Sequence, residues 1–469
     1  MLRRALLILI VLSAAQAFAG TGKILIINID AAGTGFNDPT PVAPAGGNNG
    51  TTLGQQRLNV FLAAAEKWQN LLDTNVDIRV QASFAPISDC NVLGFAGPVS
   101  WKVNTDSLPL PNVWYPVALA NKFANRDLEP GLDDIQVRFN SDVDKDKCLA
   151  DTSFYYGLDG SEGSNIDLFV VVLHELGHGL GVSGAAGAPG FRDNLPSVTD
   201  IHTYDATLGL RWNQMSQEQR LVSVTNTGHL AWDGTEVRNA AGRFLQAPTI
   251  LDVAAPPAVA ATYEAGLASF GASTENTISG RVTLATDAET PDGPTTTDGC
   301  SAFSNASAVA GRIALVDRGT CTFVTKARNA QAAGAIGIVI VDNTRKDCIP
   351  PAMGGAASDL TIPVVSITAD NGDRLKTQLN ANASVEVTVR RQPGQLSGTT
   401  PEGFVRLFTP CTFVVGSSIH HWDTPASPNL LMEPSVNSDL LHGVDLTIYQ
   451  LLDIGWSMPP RSGRRILKK

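Results

Sequence analysis

The run Ile166–Leu173, IDLFVVVL, is apolar on nearly every side of a helix, and it leads without a break into His174, Glu175 and His178. A helix without a polar face cannot lie on a surface, so the fold has to cover this element on several sides. It must also bury two imidazoles and a carboxylate, and each unpartnered buried polar group costs roughly 1–3 kcal/mol. That cost at neighbouring positions points to a use for those side chains. Ser164 and Asp167 are read as a capping box that starts the helix, and Gly181 is placed to end it in a left-handed turn.

His174 and His178 are four residues apart, so on a helix their rings leave one face a turn apart, a spacing at which both can ligate one Zn2+. Glu175 sits beside them and is suited to a water at the ion. Zinc lowers the pKa of such a water to roughly 7 and polarises a carbonyl, while the carboxylate takes the proton and returns it to the leaving amine. The implied reaction is peptide hydrolysis without a covalent intermediate. A catalytic zinc takes three protein ligands, and the extended pattern H-E-x-x-H-x-x-G-x-x-H places Gly184 where the third would fall. The other histidines are His202, His229, His420, His421 and His442. His202 is nearest, with Asp200 and Asp205 as carboxylate rivals and Glu218 as the choice on a further helix. His229 and His442 read as structural or surface residues, and the residues alone leave the third ligand open.

A chain of 469 residues favours two domains, or one with a large insertion. Its formal charge of −11 argues against nucleic acid or an anionic membrane as the main partner. Residues 1–19 combine Arg3 and Arg4 with an apolar run and the small-residue site Ala17–Phe18–Ala19, which is the pattern of a secretory signal peptide. No later segment has the roughly 18 uninterrupted apolar residues of a membrane span. A secreted location, extracellular or periplasmic, is expected. In that oxidising setting the six cysteines make three disulfides. The expected pairs are Cys90 with Cys148, Cys300 with Cys321 and Cys348 with Cys411.

Along the chain, GKILIINID reads as a buried strand, and QQRLNVFLAAAEKWQNLL puts Leu58, Phe61, Leu62, Ala65, Trp68 and Leu72 on one helical stripe. NVDIRVQASF and DDIQVRFNSD alternate as half-buried strands, the second being the candidate sheet edge for pairing with extended substrate. Residues 251–392 switch to strand–helix–strand alternation, a self-contained α/β unit. A final helix lies in GVDLTIYQLLDIGW, and residues 460–469 form a basic, solvated tail. Asp142, Asp144 and Asp146 suggest a Ca2+ loop only weakly, because the central glycine and closing glutamate of that motif are missing.

The segment SSIHHWDTPASPNLLMEP resembles the leishmanolysin-type metzincins, in which the third histidine precedes a tryptophan and a methionine turn follows beneath the metal. The resemblance implies that an insertion separates the two ligand segments, that His421, before Trp422, completes the site with His174 and His178, and that Met432 is the Met-turn residue. It leaves His420 as a one-residue alternative. GRIALVDRGTCTFVTKARNAQAAGAIGIVIVDN, PPAMGG and IPVVSIT are similar to the protease-associated (PA) domain of secreted peptidases, which implies a non-catalytic unit that shapes substrate access or holds a partner protein. The expected fold is α+β: a zincin (metzincin-like) catalytic domain from residues 20–250 and 393–459, interrupted by an α/β PA domain at 251–392. The expected activity is that of a secreted endopeptidase with one catalytic Zn2+, acting on proteins or peptides, with Glu175 as general base. A degenerate zincin that binds a partner through the PA domain is the rival reading.

Overall fold

In the computed structural model, residues 20–460 are described apart from 146, 150–151, 186–189, 344–347, 356, 438 and 441. The expected signal peptide at 1–19 and the tail beyond Pro460 lie outside the described residues. No described helix is long and apolar enough to cross a membrane.

The architecture is mixed α/β. Strands Ile24–Asn28, Ile78–Ala85, Ile135–Asn140 and Gly94–Pro98 form one sheet in that spatial order, the first three parallel and the last antiparallel. The helices Leu53–Gln69 and Leu168–Leu180 pack on it and on each other, tied by a hydrogen bond from Trp68 Nε1 to the Leu173 carbonyl (3.1 Å). Thr52 caps the first of them by accepting from the Gln55 N–H. Its buried face carries Val60, Phe61, Ala64, Ala65 and Trp68. The expected stripe is corrected at one place, since Leu62 is 47% exposed. It lies about 100° round the helix from Phe61, outside the buried face that includes Val60 and Ala64.

DDIQVRFNSD is not a sheet edge: Ile135–Asn140 is paired on both sides, and the edges are Ile24–Asn28 and Gly94–Pro98. Alternation reports which faces of a strand are buried and says nothing about its lateral neighbours. GFAGP is short, glycine-rich and without period, so it carries no pattern to read.

The segment Thr249–Arg391 builds an eight-stranded sheet in the order Ala261–Glu264, Thr249–Ala255, Glu386–Arg391, Ile278–Leu284, Ile313–Asp317, Gly337–Val341, Val364–Ile367, Gly266–Leu267. The ladders from Ile278–Leu284 to Val364–Ile367 are parallel. Strand Gly337–Val341 is buried at every position, as a strand covered on both faces should be. Val339 joins one apolar cluster and Ile338 and Ile340 another, one on each face. The main core is separate, taking members from Ile24 to Leu245 and again from Val405 to Trp456. The two ends of the intervening segment lie side by side, with Gln392 N donating to the Pro248 carbonyl (2.9 Å) and Ser397 N to that of Gln246 (2.8 Å).

The three disulfides pair as expected: Cys90–Cys148, Cys300–Cys321 and Cys348–Cys411. The acidic turn is spent on ion pairs, Asp142 with Lys145 (3.1 Å) and Asp144 with the buried Arg57 (2.8 Å), while Asp146 lies outside the described residues. The final helix is confined to Thr447–Asp453.

Phe61 is fully buried and meets Phe36 and Phe139 edge-on at 5.9 and 5.7 Å. Phe61→Ala is expected to cost about 3–5 kcal/mol, read as a lower urea midpoint in the transition that reports the main core. An unchanged midpoint would show that this aromatic cluster does not support the sheet.

Candidate metal centre

The ligand helix starts at Asp167, which is itself the N-cap and accepts from the Phe169 N–H. The expected capping box with Ser164 is not formed, because Ile166–Asp167 is drawn into a short strand pairing with Phe154–Tyr155. His442, read as a structural or surface residue, binds the other oxygen of Asp167 (2.6 Å) and stacks on Phe169 at 4.3 Å, at the start of the helix. The helix ends at Leu180, and Gly181 follows at φ +134°. That turn directs the Val182 carbonyl back onto the His178 ring.

The rings of His174, His178 and His421 converge, with Nε2–Nε2 separations of 3.1, 3.1 and 3.2 Å. On its far side each ring meets a backbone carbonyl: His174 Nδ1 and Leu431 (2.7 Å), His178 Nδ1 and Val182 (2.7 Å), His421 Nδ1 and Ser417 (2.8 Å). A carbonyl only accepts, so each Nδ1 carries the proton and donates it. Each Nε2 then presents a bare lone pair, and the three lone pairs share one point. Burial, aided by His178, pushes the His174 imidazole down to about 3, and burial holds His178 low and His421 well below its usual value. A proton is therefore no remedy for the mutual repulsion. Three nitrogens at about 2.0–2.1 Å from a tetrahedral zinc stand roughly 3.3 Å apart, so the donor set fits that ion.

Glu175 is buried beside this triad. Burial pushes its carboxyl up to about 8, opposed by a hydrogen bond from the Ala96 N–H on the edge strand. Its Oε2 has no partner among the described residues. A divalent cation at the imidazoles would draw the carboxyl back toward its ionised form.

Beneath the triad Met432 is fully buried, and Gly177 leaves room for it, because a Cβ there would stand 2.8 Å from Met432 Sδ. Trp422 N donates to the Met432 carbonyl (2.7 Å), so the residue after His421 is tied to this floor. His420 lines the neighbouring cleft, and burial pushes it down to about 4.

The rival ligands lie elsewhere. Asp200 accepts from the Ser197 N–H and hydroxyl, and Asp205 from Ser223 and Asn226. His202 stacks on Trp232, and Glu218 is exposed on the short helix Gln217–Ser223. His229 is exposed as well. Among the described residues, His174, His178 and His421 are the group able to hold a metal ion.

The triad opens into a cleft of ≈ 1780 Å³. One wall is the edge strand around Phe95 and Ala96, and the other comes from Glu264–Ser269 and Met353–Gly355 of the eight-stranded unit. Sequence reading missed that second wall, the Ala96 N–H and the three ring-holding carbonyls. Backbone groups leave no residue-type signal.

Comparison with known proteins identifies one part of the chain. The family model "PA domain" matches residues 278–375, so the chain carries a PA domain within the eight-stranded unit. ER degradation-enhancing alpha-mannosidase-like protein 3 of Xenopus laevis is 34% identical over 130 residues, which is 26% of this chain and 14% of that protein. An aminopeptidase of Pseudomonas aeruginosa is 43% identical over 83 residues, 17% of this chain and 16% of its own length. The chain thus spans well under a fifth of these relatives, whose names denote unlike chemistries, and the shared part is of module size. Among solved structures, a zinc aminopeptidase from Bacillus subtilis superposes with a TM-score of 0.23 and 21% identity, covering 33% of this chain and 36% of that one. None of these matches supports the leishmanolysin-type likeness, which rests on the motif segments.

Zn2+ at about 1,000 times its Kd is expected to stabilise the chain by about 4 kcal/mol, seen as a raised melting temperature that EDTA reverses. His421→Ala abolishes that shift and Glu218→Ala leaves it. The opposite pattern would place the third ligand on the helix Gln217–Ser223.

Proposed function

We propose that this chain is a secreted zinc-dependent endopeptidase. One zinc is held by His174, His178 and His421, Glu175 acts as general base, and Met432 is the Met-turn residue under the site. The catalytic unit comprises residues 20–250 and 393–459, and 251–392 is the inserted PA domain. The observation that carries this reading is the convergence of three proton-free Nε2 atoms at 3.1–3.2 Å beside a buried carboxylate with an unpartnered oxygen. Zinc bound there supplies Lewis acidity, acidifying water and polarising a carbonyl.

The chain's own residues supply the rest. Glu175 accepts the proton of the attacking water and hands it to the departing amine. The Ala96 N–H donates to Glu175 and favours its ionised form. The outer side of Gly94–Pro98 has no strand partner in its sheet, so an extended peptide can add to it as a further strand and present its scissile bond to the triad. A cleft of ≈ 1780 Å³ lined by both units has room for an extended segment of a longer chain.

The resemblance of His421–Trp422 and Met432 to leishmanolysin-type metzincins agrees with a one-metal site. An aminopeptidase reading is suggested by the names of some relatives, and among the described residues the group able to hold a metal is the one triad. The PA match favours one other reading, a non-catalytic secreted module that holds a partner.

Glu175→Gln is expected to lower cleavage of casein or a quenched internal peptide by at least about 10²–10⁴-fold, with one zinc per chain retained by elemental analysis. Turnover that survives in this variant would remove Glu175 from the chemistry. Zinc binding without Glu175-dependent turnover in the wild type would favour the binding module.

A further inference from the structure

Two tethers cross from the PA-bearing unit to the segment that delivers His421, and neither touches the ligand helix. The first is ionic. Arg406, nearly fully buried on the strand Val405–Arg406, donates from Nη2 to Glu264 Oε1 (2.6 Å) at the end of Ala261–Glu264. Its Nε lies 3.0 Å from Asp423 Oδ2, a charge contact and not an aligned hydrogen bond. Asp423 is two residues beyond His421 and is itself almost wholly buried. The second tether is covalent. Cys348, in the stretch between strands Gly337–Val341 and Val364–Ile367, is bonded to Cys411. Cys411 precedes by a few residues the turn at 415–419, which contains Ser417, whose carbonyl holds the His421 ring.

Between these tethers the segment is zipped to itself. Phe408 N donates to the His421 carbonyl (2.8 Å), Ile419 N to that of Phe408 (2.8 Å), and Asp423 N to that of Arg406 (3.0 Å). Fixing Arg406 and Cys411 therefore fixes the backbone of His421. His174 and His178, by contrast, are placed by their own helix. The third ligand is the one whose position depends on contacts reaching across the cleft.

We propose that the PA-bearing unit is a positioning element for the third metal ligand: Glu264, through Arg406 and Asp423, and the Cys348–Cys411 bond together hold His421 in register with His174 and His178. Seating of that unit and metal affinity are then one coupled property, although no residue of the unit reaches the metal. The proposal rests on the metal reading above. Glu264 and Arg406 are positioning residues and touch no reacting atom.

The test uses the full chain. Removing Arg406 would strand Asp423 as an uncompensated buried carboxylate and risk misfolding, so the variant of choice is Glu264→Gln, at a partly exposed side chain. Cys348→Ser with Cys411→Ser is the second variant. Zinc affinity is measured by competition with a chelator of known affinity, the Co2+-loaded visible spectrum reports ligand geometry, and amide exchange is followed in the metal-free chain. Each variant should bind zinc roughly tenfold more weakly, as for loss of an outer-shell partner, and shift the Co2+ spectrum. It should also speed exchange at Ile419, Trp422 and Asp423 while leaving the helix Leu168–Leu180 unchanged. A merely structural contact would lower the melting temperature and leave affinity, spectrum and local exchange alone, and that result overturns the proposal. So does weakened zinc binding without faster exchange in the His421 segment. A wild-type chain that takes up no zinc refutes the metal reading separately, and the exchange comparison still decides whether these tethers hold His421.

Discussion

Three lone pairs aimed at one point are repulsive unless a cation sits between them. Here each is fixed there by a proton on the opposite ring nitrogen, donated to the carbonyls of Leu431, Val182 and Ser417. Those carbonyls belong to three separate stretches of chain: Leu431 beside Met432, Val182 after Gly181, and Ser417 in the turn at 415–419. The surrounding architecture serves to hold them in place. The helix Leu168–Leu180 is apolar on every side of its first turns, and it is covered by the sheet, by the helix Leu53–Gln69 and by Met432 against Gly177. Gly177 and Gly181 are glycines for local reasons, the first to admit Met432 Sδ and the second to take φ +134° and return Val182 to His178.

Separation in sequence is a small obstacle to such a site. His178 and His421 are 243 residues apart, yet closure entropy grows only logarithmically, at about 0.6 kcal/mol per doubling of loop length. The insertion also leaves and returns at neighbouring points, Pro248 and Gln392, so a folded unit replaces what would otherwise be a long open loop. Because that unit leans back over the cleft, the insertion becomes one of its walls.

What the sequence made legible follows from which interactions are written in side-chain type. The ligand helix, the strand–helix alternation of the PA segment and the cysteine pairs were readable because period, burial and redox chemistry act on residue identity. The third member of the triad was not readable from spacing, and only the likeness around His421–Trp422 singled it out from His202, Asp205 and Glu218. The edge strand was misassigned because GFAGP has no period while IQVRFN has one, and a strand flanked on both sides alternates as well as an edge strand does. Leu62 shows the converse limit, an apolar residue on the stripe that the actual helix rotation leaves in solvent. The Ala96 N–H and the ring-holding carbonyls belong to the backbone, which every residue shares, so no pattern could name them.

The order in which ligands leave the ribosome has a consequence of its own. Two of the three imidazoles are made early, and the last is made only after the whole inserted unit has been synthesised. A chain interrupted anywhere before that point has an incomplete cage and no floor beneath it. On the proposed reading a truncated product therefore has no complete metal site, and the topology itself delays that site until the inserted unit has been made.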